Sequence, residues 1–253
     1  MKITVLGSGT SAGVPLIACP CGVCVSTHAK DKRLRSSIHI EAQGLSIVID
    51  SGPDFRQQML RENIKTLDAI VFTHSHKDHV AGLDDVRAYN FINQASVAVY
   101  ATELVQEALR REFSYIFAEK KYPGIPQIDL YTIDNARFFI QTLPILPIEV
   151  LHHRLPVLGF RIKDFTYITD ANYISDAEKA KIKGSKILIL NALRKEQHLS
   201  HFTLDQAVEL AKELGVEQTY LTHISHQMGL HDEVNAQLPN NIQLAFDGLT
   251  FEL

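Results

Sequence analysis

The 253-residue chain has no fourth cysteine: Cys19, Cys21 and Cys24, all within CPCGVC, are the whole set. An odd, clustered set cannot pair evenly, and it suits metal thiolates better than a disulfide framework. No run of about 18 apolar residues occurs, and the apolar stretch in MKITVLGSG is too short for the core of a secretory signal. These absences predict a cytoplasmic protein. Positive charge is also in deficit, with 25 Lys and Arg against 29 Asp and Glu for a net charge of -4, so a large polyanion is a poor partner. Low-complexity linkers and short repeats are missing too, so one domain over residues 1–253 is expected. Its length can bury a sizeable core. The glycine-rich GSGTSAGVP lacks the lysine of a P-loop and makes no nucleotide-phosphate cradle.

Against these absences stands a regular alternation of elements. Strand-like runs occupy 2–6, 36–42 and 45–50, the last two joined by a QG hairpin turn. A helix over 54–62 and a buried strand over 67–74 follow. Helices at 80–92 and 102–113 flank a strand at 96–101, with Thr102 as the second helix's N-cap, and 120–127 reads as a loop. The second half has strands at 128–132, 136–142, 145–151, 157–163, 165–169, 186–192 and 218–223, with helices at 175–183 and 203–214. Two β-rich halves, each followed by helices, predict a layered sandwich with its helices outside.

The densest chemistry is THSHKDH, which places His74, His76, Asp78 and His79 directly after an apolar strand. Imidazole and carboxylate are the ligands that borderline divalent metals take. His74 and His76 point the same way in an extended turn, while Asp78 and His79 on the next turn reach a second ion. One loop cannot close two sites, and further strand ends supply His152 and His153 in VLHHR, Asp170 in TYITDAN and His223 in TYLTHISH.

HxHxDH followed by a strand-end His, an Asp and a last His in this order resembles the metallo-β-lactamase superfamily of hydrolases. The opening LGSGTSAGVP, the cysteine cluster, DSGPDFRQQ, HFTL and THISHQ resemble its PhnP group, phosphodiesterases that act on cyclic ribose phosphates in phosphonate breakdown. The resemblance implies an α/β fold, a four-layer αββα sandwich, and a small-molecule phosphodiester as substrate. It implies zinc or manganese at two positions, one held by His74, His76 and His153, the other by Asp78, His79 and His223, with Asp170 shared. His153 is preferred to His152 because it keeps the family's distance to Gly159 and Phe160, and neighbours on a strand cannot both face inward. His201 in HLSHFTL matches the family's proton donor, with His198 as the alternative; Asp78 and Asp170 are catalytic through the ions they hold.

Two such ions lower the pKa of a shared water to about 7 and offset phosphoryl charge, while a histidine donor contributes a factor of about 10² to 10⁴. Asp50 reads either as a support of the histidine loop by hydrogen bonding or as a plain turn residue. Gly7, Gly9 and Gly13 would let backbone turn near the metals, and KDKRLRSS (30–37) reads first as a solvated loop and second as a phosphate contact. A tRNA 3'-end nuclease, a thioester hydrolase and a non-catalytic metal carrier are the rival readings. Neither membrane nor nucleic acid is an expected partner, and a homodimer is compatible with the reading.

His226, three residues after His223, completes the cysteines as a Cys₃His set for a structural zinc: Cys19, Cys21, Cys24 and His226. PhnP-like proteins bind zinc with this cluster, so the resemblance implies the same here. His28 is the nearer competitor in sequence.

Overall fold

Two stretches, Leu45–Ile49 and Ile187–Asn191, are buried at every position in the computed structural model of the protein, which describes residues 1–120 and 122–253. Alternate side chains on a strand face opposite sides, so each stretch serves two cores at once. Ile47 and Ile49 join Ile187 and Ile189 in a central core, while Val48 faces one outer core and Leu188 and Leu190 another. A strand apolar on both faces requires a cover on each. The result is four layers, helix, sheet, sheet and helix, as expected.

In chain order the strands are β1 (Lys2–Gly7), β2 (Ser37–Ala42), β3 (Leu45–Ile49), β4 (Ala69–Val71), β5 (Val97–Ala101), β6 (Ile128–Thr132) and β7 (Phe138–Ile140). They continue as β8 (Leu143–His152), β9 (Leu155–Ile162), β10 (Phe165–Ile168), β11 (Ile187–Asn191), β12 (Gln218–Thr222), β13 (Ile242–Leu244) and β14 (Thr250–Glu252). One sheet has the order β14-β1-β2-β3-β4-β5-β6 and the other β13-β12-β11-β10-β9-β8-β7. β3 to β6 are parallel, as are β10 to β13. The β2–β3 hairpin closes on Gln43 and Gly44, both at positive φ (54° and 81°), the twist-matched two-residue turn that QG predicts.

Thr102 caps its helix as expected, and Thr203, expected as the first helical residue, is a cap too. Thr102 accepts a hydrogen bond from Val105 N ahead of Glu103–Glu112, and Thr203 and Gln206 form a reciprocal capping box at Leu204–Leu214. The expected helix over 80–92 is instead broken into Lys77–Val80, a 3₁₀ turn Leu83–Val86 and Arg87–Asn93. Gly82 N donates to Ser51 O, and a Cβ at Gly82 would lie 2.1 Å from Gly52 O. That backbone contact docks the histidine loop on the turn after β3, and it overrides helical periodicity. The strand expected to reach residue 74 ends at Val71, because Thr73 turns its N–H to Asp50. Position 121 of the expected 120–127 loop lies outside the described residues; Tyr122–Gln127 is free of helix and strand. β13 and β14 were not anticipated, being three residues each.

Candidate functional site

The carboxyl ends of β3, β4, β8, β10 and β12 open on one edge of the sandwich, the usual place for ligands in parallel sheets. They deliver Asp50, His74, His152, Asp170 and His223. Asp50, Asp170 and His223 have φ of 65°, 52° and 58°, left-handed values that Asp and His tolerate better than most residues. Such conformations cost about 1–3 kcal/mol each and collect at functional sites.

Asp170 lies at the centre. Its Oδ1 is 3.3 Å from His79 Nε2 and 3.1 Å from His223 Nδ1, and its Oδ2 is 3.8 Å from His74 Nε2. His79 Nε2 is also 3.1 Å from Asp78 Oδ2. Ligand atoms of Asp78, His79, Asp170 and His223 lie within 4.8 Å of one another, as do those of His74, His76 and Asp170, and those of His152, Asp170 and His201. Asp170 belongs to all three groups.

His153 does not join them. It is exposed, at φ 58°, in the two-residue turn between β8 and β9, and its N–H donates to Asn172 Oδ1. His152, the last residue of β8, faces inward instead, its ring 5.2 Å from that of His76 and 4.5 Å from that of His201. Its Nδ1 donates to Ser200 O at 2.9 Å, which leaves Nε2 as the lone-pair nitrogen. The spacing to Gly159 and Phe160 misled; strand parity does not, since Ile148 and Val150 are buried and His152 continues that face.

Other imidazoles are oriented in the same way. His79 Nδ1 donates to Asp50 Oδ2 at 2.7 Å, and Asp50 is fixed by the N–H and hydroxyl of Thr73, at 2.9 and 2.8 Å. This carboxylate–histidine pairing raises the basicity of Nε2. His223 is held from both sides, Ser36 Oγ lying 3.0 Å from Nδ1 and Thr10 Oγ1 3.3 Å from Nε2. Neither Thr10 nor Ser36 carried a sequence signal, because each comes from a loop or strand start that only the fold brings to β12. Gly9 makes that approach: its backbone bridges both Arg35 and Ile224, and a Cβ there would meet Arg33 O at 2.8 Å. The need is close packing rather than a turn, as only Gly13 of Gly7, Gly9 and Gly13 has positive φ.

The electrostatics call for a cation. Burial favours the uncharged form of Asp78 and Asp170, yet the histidines beside them hold both carboxyls below the usual range. His79 is pushed the other way: burial opposes its charge, but Asp170, Asp50 and Asp78 raise its pKa well above normal. Burial holds His74 neutral. Among the described residues Nε2 of His74 has no hydrogen-bond partner though it is buried, and a buried polar atom left so is costly unless something binds it. Carboxylates in excess and lone pairs in waiting fit divalent metal.

The cysteine cluster meets its histidine across the fold. Cys19 Sγ and Cys21 Sγ lie 3.5 and 3.3 Å from His226 Nδ1, and ligand atoms of Cys19, Cys21, Cys24 and His226 lie within 4.8 Å of one another. A tetrahedron with Zn–S of about 2.3 Å and Zn–N of about 2.0 Å has S···N edges of about 3.5 Å, so the geometry fits zinc. The hydrogen bond with His226 lowers the Cys21 thiol to about 6, whereas burial raises Cys24 to about 11. His28, the nearer candidate, stands 3.6 Å from Asp232 instead. The basic stretch 30–37 is neither a solvated loop nor a free phosphate clamp. Arg33 is buried against Ser8, Ala245 and His231, and Arg35 pairs with Asp54.

Residues 46–224 match the β-lactamase superfamily domain. The crystal structure of a diphosphatase from the PhnP family is 43% identical, covers 100% of this chain and 97% of its own, and superposes with a TM-score of 0.93. An octanoyltransferase of Porphyromonas gingivalis is 39% identical over 252 residues, 98% of this chain but 51% of that protein. The chain thus spans about half the length of that curated relative. Zinc-bound PqqB from Methylobacterium extorquens, 18% identical with full coverage of both chains and a TM-score of 0.80, shares the fold. Among the described residues no helix is long and apolar enough to cross a membrane. By motif, fold and metal-type cluster, the chain belongs to the metallo-β-lactamase superfamily and is PhnP-like.

Proposed function

We propose that the protein hydrolyses a phosphoryl P–O bond in a small phosphodiester or disubstituted diphosphate. The observation that carries this is His201, a buried imidazole whose Nδ1 has no partner, standing 4.5 Å from the ring of His152 and 4.8 Å from that of His223. In the proposed arrangement His74, His76 and His152 hold one ion, Asp78, His79 and His223 the other, and Asp170 both. Divalent ions at such positions supply Lewis-acid neutralisation of phosphoryl charge and a water acidic enough to attack near pH 7. Cys19, Cys21, Cys24 and His226 hold a separate, closed zinc.

The chain's own part is orientation and proton delivery. Asp50 and Ser200 O fix the ring orientation of His79 and His152, so the ligand nitrogens need no rearrangement when substrate enters. Burial, with the His223 charge next, lowers His201 to about 2, so the free site keeps it neutral. Negative charge arriving beside it favours the imidazolium. A phosphoryl group brings that charge and a neutral thioester or lactam does not, which favours a phosphate substrate. His201 then passes its proton to the departing oxygen.

A thioester is the second reading, favoured by the name of the half-matched Porphyromonas octanoyltransferase, since acyl transfer uses such electrophiles. One panel separates the two. Protein of counted metal content is assayed on 1,2-cyclic ribose phosphates, 2',3'-cyclic nucleotides, a linear phosphodiester, a disubstituted diphosphate, a thioester and a pre-tRNA. Turnover confined to the small phosphates is expected; preference for the thioester or the RNA overturns the proposal.

A further inference from the structure

His201 has a second histidine behind it. His198 stands with its ring 5.1 Å from that of His201, half-buried, on the loop between Arg194 and Thr203. That loop is built rather than loose. Leu193 N donates to Phe202 O and Leu204 N to Arg194 O, closing the neck, and Phe202 N donates to Ala171 O beside Asp170. Inside the loop the Arg194 guanidinium donates to the carbonyls of Glu196 and Gln197 and to Gln227 Oε1. Ser200, between the two histidines, is fixed by accepting from His152.

The same loop sets the tautomer of His198. Ser200 N donates to its Nδ1 at 3.3 Å, so Nδ1 accepts and the ring proton sits on Nε2 in the neutral form. His198 therefore offers an N–H donor whether or not it is charged, and among the described residues no side chain takes up that Nε2. Burial first, and the Arg194 charge next, act on it. An anionic oxygen gains more from such a donor than a neutral hydroxyl does.

We infer that His198 Nε2 binds an anionic oxygen of the leaving group, beyond the oxygen that His201 serves, so that the preferred substrate departs as a phosphate monoester. This rests on the phosphoryl reading of the site and names its substrate class: a disubstituted diphosphate. In that reaction the oxygen of water bonds to one phosphorus and the bridging P–O bond breaks. The bridging oxygen leaves with the other phosphorus, and two phosphate monoesters result. Nothing is oxidised or reduced.

The test pairs two substrates, a disubstituted diphosphate such as a dinucleoside diphosphate and bis(p-nitrophenyl) phosphate, whose leaving group has no second anionic oxygen. His198→Ala should lower kcat/KM on the diphosphate about 10- to 100-fold, the loss of one hydrogen bond to a charged group. Turnover of the nitrophenyl ester should stay within about twofold, with metal content unchanged. His198→Gln, which keeps an N–H donor, should recover part of the loss. Equal losses on both substrates, or no loss on the diphosphate, overturn the inference. Wild-type turnover of the nitrophenyl diester alone also overturns it and leaves phosphoryl hydrolysis standing; turnover of neither, with cleavage of a thioester, removes the reading beneath it.

Discussion

His223 and His226 leave the end of the same strand, β12, three residues apart, and serve two opposite kinds of site. His226 meets three thiols that arrive together from one short N-terminal segment. Four ligands of Cys₃His type complete a tetrahedron and leave no open position. His223 enters a group whose other ligands come from two further segments, Asp78 and His79 from the Lys77–Val80 turn and Asp170 from the end of β10, with the unpartnered Nδ1 of His201 beside them. On the proposed reading, this difference is what would make one metal centre structural and its neighbour reactive. The first satisfies its ligands, while the second shares Asp170 and keeps groups in reserve. The two are also coupled, because the Gly9 loop pairs with Ile224 between the two histidines.

The comparison breaks most completely at Asp170. Asp170→Ala should bring hydrolysis to background and empty the His/Asp centre, while zinc bound by the cysteines persists; loss of all metal together would mean that the centres are not separable. Next in size, His201→Ala should retain metal and lower turnover of an alkoxide-leaving phosphodiester about 10²- to 10⁴-fold, with a smaller loss on a nitrophenyl ester. Full activity on the alkoxide substrate would end its role as proton donor. Cys21→Ser should remove one zinc per chain and lower Tm by roughly 5–10 °C. Activity should then fall as a consequence, and unchanged zinc would make the cluster mere packing.

The smallest effect is a control, a buried histidine in neither centre. His39 in β2 donates from Nε2 to Ser46 Oγ, and burial lowers it to about 4. Its folded value lies below the unfolded value of about 6.5, so the unfolded chain binds more protons between the two. Its contribution is therefore complete above pH 6.5 and is lost as pH falls toward 4, on the order of 2–3 kcal/mol. Urea unfolding of metal-free protein across that range measures it; in His39→Gln the slope should flatten, and an unchanged slope would assign the acid sensitivity elsewhere.

How far the sequence reached follows the same division. Apolar runs such as LSIVID and KILILNA announce strands buried on both faces, and THSHKDH announces its own chemistry, since local spacing alone determines both. Cys19, Cys21 and Cys24 were legible because they are neighbours. What was not legible depends on the turn or contact that receives it. His152 and His153 differ only in which one the hairpin turn claims, and the break at Gly82 depends on backbone from Ser51 and Gly52. Ser36 and Thr10 flank His223 only after 187 and 213 residues of chain are folded together.

Anomalous diffraction from crystals of the metal-loaded protein tests the central claim most directly. The account predicts two ions on either side of Asp170, with His152 as a ligand and His153 in solvent, and a third enclosed by Cys19, Cys21, Cys24 and His226. Density that places His153 on a metal, or no ion among the cysteines, would contradict it.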